Sequence, residues 1–269
     1  MDEHPATQSL QIQRIRDGKR EQVEDSLVVE EPLEIRVRGQ AIAVTMRTPG
    51  HDYELAAGFL CTEGVIESFS DVLAINHCTI GEAADTGNVV NVYLSPKVEL
   101  DLKKLTRHVF ASSSCGLCGK ATIDAIRQQF PAVEKTVKPS AELIASLPDK
   151  LREAQKVFSS TGGLHAAALF DADGELIVVR EDVGRHNAVD KVIGHGFLGG
   201  NFPYPACILL ISGRASFEIM QKTLAAGIPV VAAVSAPSNL AVDFARENNQ
   251  TLVGFLREGR MNVYAGEIG

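Results

Sequence analysis

At 269 residues with a formal net charge of −8 at pH 7, the chain lacks the basic balance of a general nucleic-acid or anionic-membrane binder, while a local basic pocket stays open to it. With 45% hydrophobic and 22% charged residues it has the composition of a soluble globular protein, long enough for one large domain or two smaller ones with separate cores. Met1 to Gln22 has no apolar core of a signal peptide, and no run of about 18 apolar residues occurs, so no membrane span is expected.

The first ten or so residues lack periodicity and are expected to be mobile; Ser9 to Arg16 then alternates as an edge strand does. Leu33 to Arg38, the turn at Gly39-Gln40 and Ala41 to Met46 form a hairpin signal. Pro49-Gly50-His51-Asp52 starts a helix that runs to about Cys61 and ends at Gly64, with Leu55, Phe59 and Leu60 inward. Strands are predicted over Val72 to Ile80 and Val89 to Leu94, separated by a polar loop from Gly81 to Asn88. A helix over Lys120 to Gln129 precedes Pro131, and Ser140 caps another through Ala154, interrupted near Pro148. Strands Leu164 to Phe170 and Glu175 to Arg180 form a second hairpin. Beyond it, helices Arg185 to Gly194, Phe217 to Ala226 and Asn239 to Asn248 alternate with strands Ala206 to Ile211, Pro229 to Val234 and Thr251 to Leu256. Alternation of this kind implies an α/β layer structure with a partly parallel sheet, so the fold class is α/β, α+β overall. Residues 1–135 read as a small β-rich domain and residues 136–269 as an α/β domain.

One stretch stands apart. In Ser112-Ser113-Ser114-Cys115-Gly116-Leu117-Cys118-Gly119 two thiols sit three positions apart among serines and glycines, the composition of a loop that exposes its sulfurs. A helix N-terminus and Lys120 follow directly, and both favour thiolate over thiol. Cys61, Cys78 and Cys207 are isolated in apolar surroundings, which is no disulfide framework and fits a reducing cytoplasm. A structural zinc site needs four ligands and finds no second pair here, so no metal is expected. A zinc deaminase would need a His-x-Glu or Cys-x-Glu segment and a thiol pair after proline; Cys115 follows Ser114, and no such triplet is expected in the chain.

Polar clusters recur just beyond strands and before helices: Ser159 to His165, Arg180 to Asn187, Ile211 to Ser216 and Val234 to Asn239. Open α/β sheets bind ligands at such strand ends, and helix N-termini favour anions. Arg185, Arg214 and Lys191 are candidate countercharges for phosphates. Ordinary caps and turns are the competing reading for each cluster alone; their recurrence points to an anionic ligand. His165 and His186 are either catalytic or hydrogen-bonded caps, and His51 and His108 are read as structural.

Taken in order, Ser114 to Gly119, Thr161-Gly162-Gly163-Leu164-His165, Glu181 to Lys191, Ser212-Gly213-Arg214, and Gly254-Phe255 through Gly259 to Tyr264 resemble the FdhD family of formate dehydrogenase accessory sulfurtransferases. The resemblance implies a cytidine deaminase-like three-layer α/β fold for the second domain and a homodimer. It implies that sulfur arrives from a cysteine desulfurase as a persulfide on Cys115, with Cys118 assisting. The sulfur passes to the bis-guanine-dinucleotide molybdenum cofactor, a bound substrate needed by formate dehydrogenase. Phe255, Leu256, Arg257, Glu258, Gly259 and Arg260 would contact that cofactor, joined by His165, Arg185 and Arg214 from the strand-end clusters. A cofactor-binding chaperone without thiol chemistry is the alternative.

Overall fold

The computed structural model describes residues 5–99, 130–134 and 137–269. The CxxC segment, the helix expected over Lys120 to Gln129 and His108 lie outside the described residues. Strand β1 (Thr7–Arg16) pairs antiparallel with β2 (Lys19–Val28) across Asp17-Gly18, whose φ values of 50° and 77° suit a type I′ turn. Strands β3 (Glu31–Val37), β4 (Gln40–Arg47), β5 (Val72–His77) and β6 (Val89–Leu94) form a four-stranded sheet in the order β4-β3-β6-β5. Helix α1 (Asp52–Thr62) lies between β4 and β5 in the chain. The stretch expected to be a polar loop carries a short helix, α2 (Glu82–Thr86), and β5 stops at His77 rather than Ile80.

Helices α3 (Ala141–Ala154) and α4 (Lys156–Thr161) lead into β7 (His165–Phe170) and β8 (Leu176–Asp182). Then come α5 (Arg185–Gly199), β9 (Ile208–Ile211), α6 (Phe217–Ala225), β10 (Val230–Ala233), α7 (Asn239–Glu247), β11 (Thr251–Arg257) and β12 (Arg260–Ala265). Six strands line up as β12-β11-β10-β9-β7-β8; β9, β10 and β11 are parallel to one another, and the other neighbouring pairs are antiparallel. The sheet is buried on both faces, and the period of two divides its side chains cleanly. Ala166, Ala168, Phe170, Ile208 and Leu210 meet Ile144, Leu147 and Leu151 of α3. Ala167, Leu169, Leu209 and Ile211 join the cluster that holds Val189 and Ile193 of α5 and Ile219 of α6. The result is three layers, helix on sheet on helices. Pro148 leaves α3 continuous, contrary to the expected interruption; Ile144, Leu147 and Leu151 on its buried stripe hold it to the sheet.

The four-stranded sheet joins this body through α1. Leu33, Ile35, Val37, Val90 and Val92 share one buried cluster with Leu55 and Leu60 of α1 and with α5, so the core crosses the division at residue 135. The α1–α5 contact is backbone on backbone. A Cβ at Gly58 would sit 1.9 Å from the Asp190 carbonyl oxygen, and one at Gly194 would sit 1.8 Å from that of Glu54. Alanine favours a helix over glycine by about 1 kcal/mol, but forcing these backbones apart costs about 1–3 kcal/mol or more. Sterics therefore wins, and Gly58→Ala is expected to lower the urea midpoint with little change in its slope.

Buried charges tie the same parts together. The Arg47 guanidinium, 1% exposed, donates to both Asp52 oxygens at 3.0 Å, to Glu31 at 3.1 Å and to Asn88 at 3.1 Å. Lys222 donates to both Asp190 oxygens and to Thr62 Oγ1 at 2.9 Å.

Candidate functional site

Because β9 and β10 run parallel and β7 runs against β9, the N-terminal end of β7 meets the carboxyl ends of the parallel strands. His165 opposes Asp182, and Ala167 opposes Ile211. Ser212 donates its backbone N–H to Ala166 O and accepts the Ala166 N–H on its hydroxyl, both at 2.9 Å. Ala215 and Pro237 bridge the next two loops, and Ser238 N donates to Ala215 O at 3.0 Å. Phe255 N donates to Ser235 O at 3.1 Å, bringing in the β11–β12 turn. The loops singled out in the sequence therefore do converge at one end of the sheet.

Their residues divide sharply by role. Arg180 is taken by Glu54, donating from Nη2 to Oε1 at 2.7 Å, with His195 Nδ1 3.0 Å from the same oxygen. Burial pushes the Glu54 carboxyl up, but Arg180, His195 and His51 together hold it below its usual range. Glu181 accepts the N–H groups of Val157 and Phe158 at 3.0 and 2.8 Å, which caps α4. Asp182 is fully buried and accepts from Lys191 Nζ at 2.7 Å, Gly184 N at 2.8 Å, Asn187 Nδ2 at 2.9 Å and Thr48 N at 3.2 Å. Lys191 is itself 1% exposed and also donates to Thr48 O at 2.9 Å. This corrects the expectation that Lys191 supplies countercharge to a phosphate: its charge is consumed by Asp182 inside the protein. His51, read as structural, precedes α1 at φ 58° with its exposed ring 3.4 Å from Glu54 Oε2.

What remains facing the crevice is Arg185, His186, His165 and Arg214. The Cβ position of Gly213 lies 3.4 Å from His165 Nδ1 and 3.6 Å from Arg185 Cδ, so three of the loops meet within van der Waals range. The Nε of Arg185 is buried and has no hydrogen-bond partner among the described residues. Leaving a buried donor unmet costs about 1–3 kcal/mol, so an acceptor arriving there starts with an advantage. His186 Nε2 lies 3.0 Å from Glu218 Oε2 and 3.3 Å from Ser216 Oγ, linking the first turns of α5 and α6. The His186 hydrogen bond holds the Glu218 carboxyl below its usual range against the effect of burial. Arg214 is exposed at the rim.

Phe255, at the bulge of β11, has φ of 53°, and Glu258-Gly259 turn into β12 with φ of 52° and 71°, as a type I′ turn requires. Leu256 is fully buried in the core against the sheet. The side chains that this segment offers to a ligand are therefore Phe255, Arg257, Glu258 and Arg260.

Burial, then the nearby charge of Arg185, pushes the His165 imidazole below its ordinary value of about 6.5. Between the lowered folded value and the unfolded one, the unfolded chain binds more protons, so this group's contribution to stability rises with pH and is lost as pH falls through that window. Proton NMR of the His165 ring is expected to give a midpoint under about 6.5. Arg185→Gln should raise that midpoint without restoring it fully, because burial persists.

Cys61-Thr62-Glu63 is a Cys-x-Glu triplet, which corrects the expectation that the chain contains none. Burial pushes the Cys61 thiol up to about 12, and Thr62 is committed to Lys222 and Asp190. Among the described residues no group of three or more His, Cys, Asp or Glu side chains is arranged to hold a metal ion.

These features define a mixed α/β protein whose strand-end loops bring His165, Arg185 and Gly213 together at one end of the sheet. Residues 28–268 match the FdhD/NarQ family, and the chain belongs to that family. It is 54% identical over 266 residues to the sulfur carrier protein FdhD of Streptomyces avermitilis, covering 97% of this chain and 94% of that one. With the sulfur carrier protein FdhD of Mycolicibacterium paratuberculosis it shares 55% over 251 residues, 91% and 92% of the two chains. Among solved structures it matches the "putative formate dehydrogenase accessory protein" of Desulfotalea psychrophila at a TM-score of 0.76 and 25% identity, over 97% of each chain.

Proposed function

We propose that this protein is a cytoplasmic sulfur carrier in formate dehydrogenase maturation. It takes sulfur from a cysteine desulfurase onto Cys115 and delivers it to the bis-guanine-dinucleotide molybdenum cofactor, its bound substrate. The observation that carries the cofactor half of this reading is the buried, unpartnered Arg185 Nε beside His165, at the N-terminus of α5. A pyrophosphate oxygen is the acceptor such a donor lacks, and the N-terminus of a fifteen-residue helix adds favourable potential. The sulfur half rests on the paired thiols and on the likeness to sulfur carriers.

The chemistry balances as follows. The Cys115 thiolate attacks the outer sulfur of the desulfurase persulfide; that S–S bond breaks, the desulfurase cysteine leaves as thiolate, and Cys115 holds a persulfide. Release as sulfide needs two electrons. Attack of the Cys118 thiolate on Cys115 Sγ supplies them, forming a Cys115–Cys118 disulfide and freeing hydrosulfide; in the other route, direct transfer, the substrate metal would supply the two electrons and Cys115 would leave as thiolate. Incubation with a cysteine desulfurase and cysteine, followed by peptide mass mapping, is expected to find one added sulfur on the Cys115 peptide. A peptide that stays unmodified under conditions that load the desulfurase overturns the sulfur half.

A further inference from the structure

His186 is tied down by one ring nitrogen only. Its Nε2 faces Glu218 Oε2 at 3.0 Å and Ser216 Oγ at 3.3 Å, both at the start of α6. Ser216 holds the N-cap position of that helix, yet its hydroxyl makes no capping bond and is left to the ring. The other nitrogen, Nδ1, has no hydrogen-bond partner among the described residues and is not a buried atom. Glu218, whose carboxyl the His186 hydrogen bond holds below its usual range, is ionised across about pH 5 to 8. A carboxylate accepts hydrogen bonds and donates none. It therefore keeps the proton of a neutral His186 on Nε2, which fixes the tautomer. Nδ1 then carries a lone pair when the ring is neutral and an N–H when it is protonated.

The charged groups around the ring come from every element packed there. Arg185 and Asp190 share α5 with it, His165 opens β7, and Glu218 and Lys222 belong to α6. Asp182 of β8 faces His165 but is taken by Lys191, and Asp190 is taken by Lys222. What stays unbalanced is Arg185 and His165 against the carboxylate of Glu218. Arg185, the neighbour of His186 in the first turn of α5, carries the buried Nε that lacks an acceptor. We propose that His186 is a second contact for the anionic ligand that Arg185 receives, donating from Nδ1, and that Glu218 is its positioning residue. The inference rests on the cofactor reading above and adds a condition to it. The contact forms only with the ring protonated, because the neutral ring turns a lone pair toward the phosphate oxygen. The bound state thus favours the proton, so affinity falls as pH rises. His165 gains charge in the same sense, but below its ordinary value of about 6.5.

Diguanosine pyrophosphate is the probe, because its pyrophosphate diester has no proton to lose between about pH 5 and 8, where histidine titrates. Calorimetric titration of the full chain is expected to show binding about tenfold or more tighter at the acidic end than at the basic end. His186→Gln should flatten that difference to about threefold or less. His165 is present in both proteins, so the change belongs to His186. Glu218→Gln should bind about threefold more tightly than wild type at about pH 8. The carboxylate beside the anion is then gone, and a neutral ring is free to carry its proton on Nδ1. A merely structural Glu218 gives the reverse, weaker binding at every pH. Nitrogen NMR of the ring in wild-type protein, which needs neither ligand nor variant, should find the neutral proton on Nε2; circular dichroism checks that the variants fold. A neutral proton on Nδ1, a His186→Gln profile as steep as that of wild type, or weaker binding by Glu218→Gln throughout overturns this inference. The cofactor reading survives those results if Arg185→Gln weakens binding by about tenfold. Wild-type protein that binds the probe at no pH overturns both.

Discussion

Cys115→Ala is expected to cut formate dehydrogenase activation by about a hundredfold or more, because the proposed relay then loses the group that would hold its covalent intermediate. The measurement is formate dehydrogenase activity in cells that lack the native carrier, complemented with each variant at matched protein levels. Cys118→Ala separates the release routes. It should load sulfur as wild type does, since loading uses only Cys115, yet free no sulfide in a single turnover without added reductant. Full transfer by Cys118→Ala under those conditions removes the disulfide route and leaves direct transfer. Activation retained by Cys115→Ala removes thiol chemistry altogether and makes the protein a cofactor-binding chaperone.

The second large effect is on stability. Asp182→Asn keeps the shape of a side chain that accepts from Lys191, Gly184, Asn187 and Thr48, but removes the charge that balances a Lys191 ammonium 1% exposed. Breaking one partner of a buried pair costs about 3–5 kcal/mol, a fifth or more of the roughly 5–15 kcal/mol that holds most domains. A urea or thermal titration should show it. The double variant Asp182→Asn/Lys191→Met should recover part of the loss, because no ammonium is then left stranded. A loss under about 1 kcal/mol would mean that the pair behaves like an exposed one.

Much of this architecture is legible in the sequence, for identifiable reasons. The hairpin at Gly39 and the alternation of strands and helices after residue 165 follow from periodicity and turn residues, and the parallel core predicts where polar loops gather. Strand β2 escapes notice because Lys19 to Val28 is mostly charged and polar, and only its partner β1 fixes it as a strand. Strand β12 is short, and the tight turn at Glu258-Gly259 that sets it antiparallel to β11 leaves a weak signal. Pro148 misleads because a local rule about proline yields to tertiary packing on the sheet. The strand-end clusters are visible as groups, yet their division into structural and ligand-facing members is not. Arg180, Glu181, Asp182 and Lys191 look like Arg185 on paper. Their partners Glu54, Val157 and Thr48 are distant in the chain, and only the fold brings them together.

The bare contact between α1 and α5 has a mechanical consequence. With Gly58 lying on the Asp190 backbone and Gly194 on that of Glu54, no side chain stands between the helices at either point. The two helices behave as one stiff bar. Arg185 opens α5, so its buried Nε is carried by a helix whose seat against α1 is set by backbone contact.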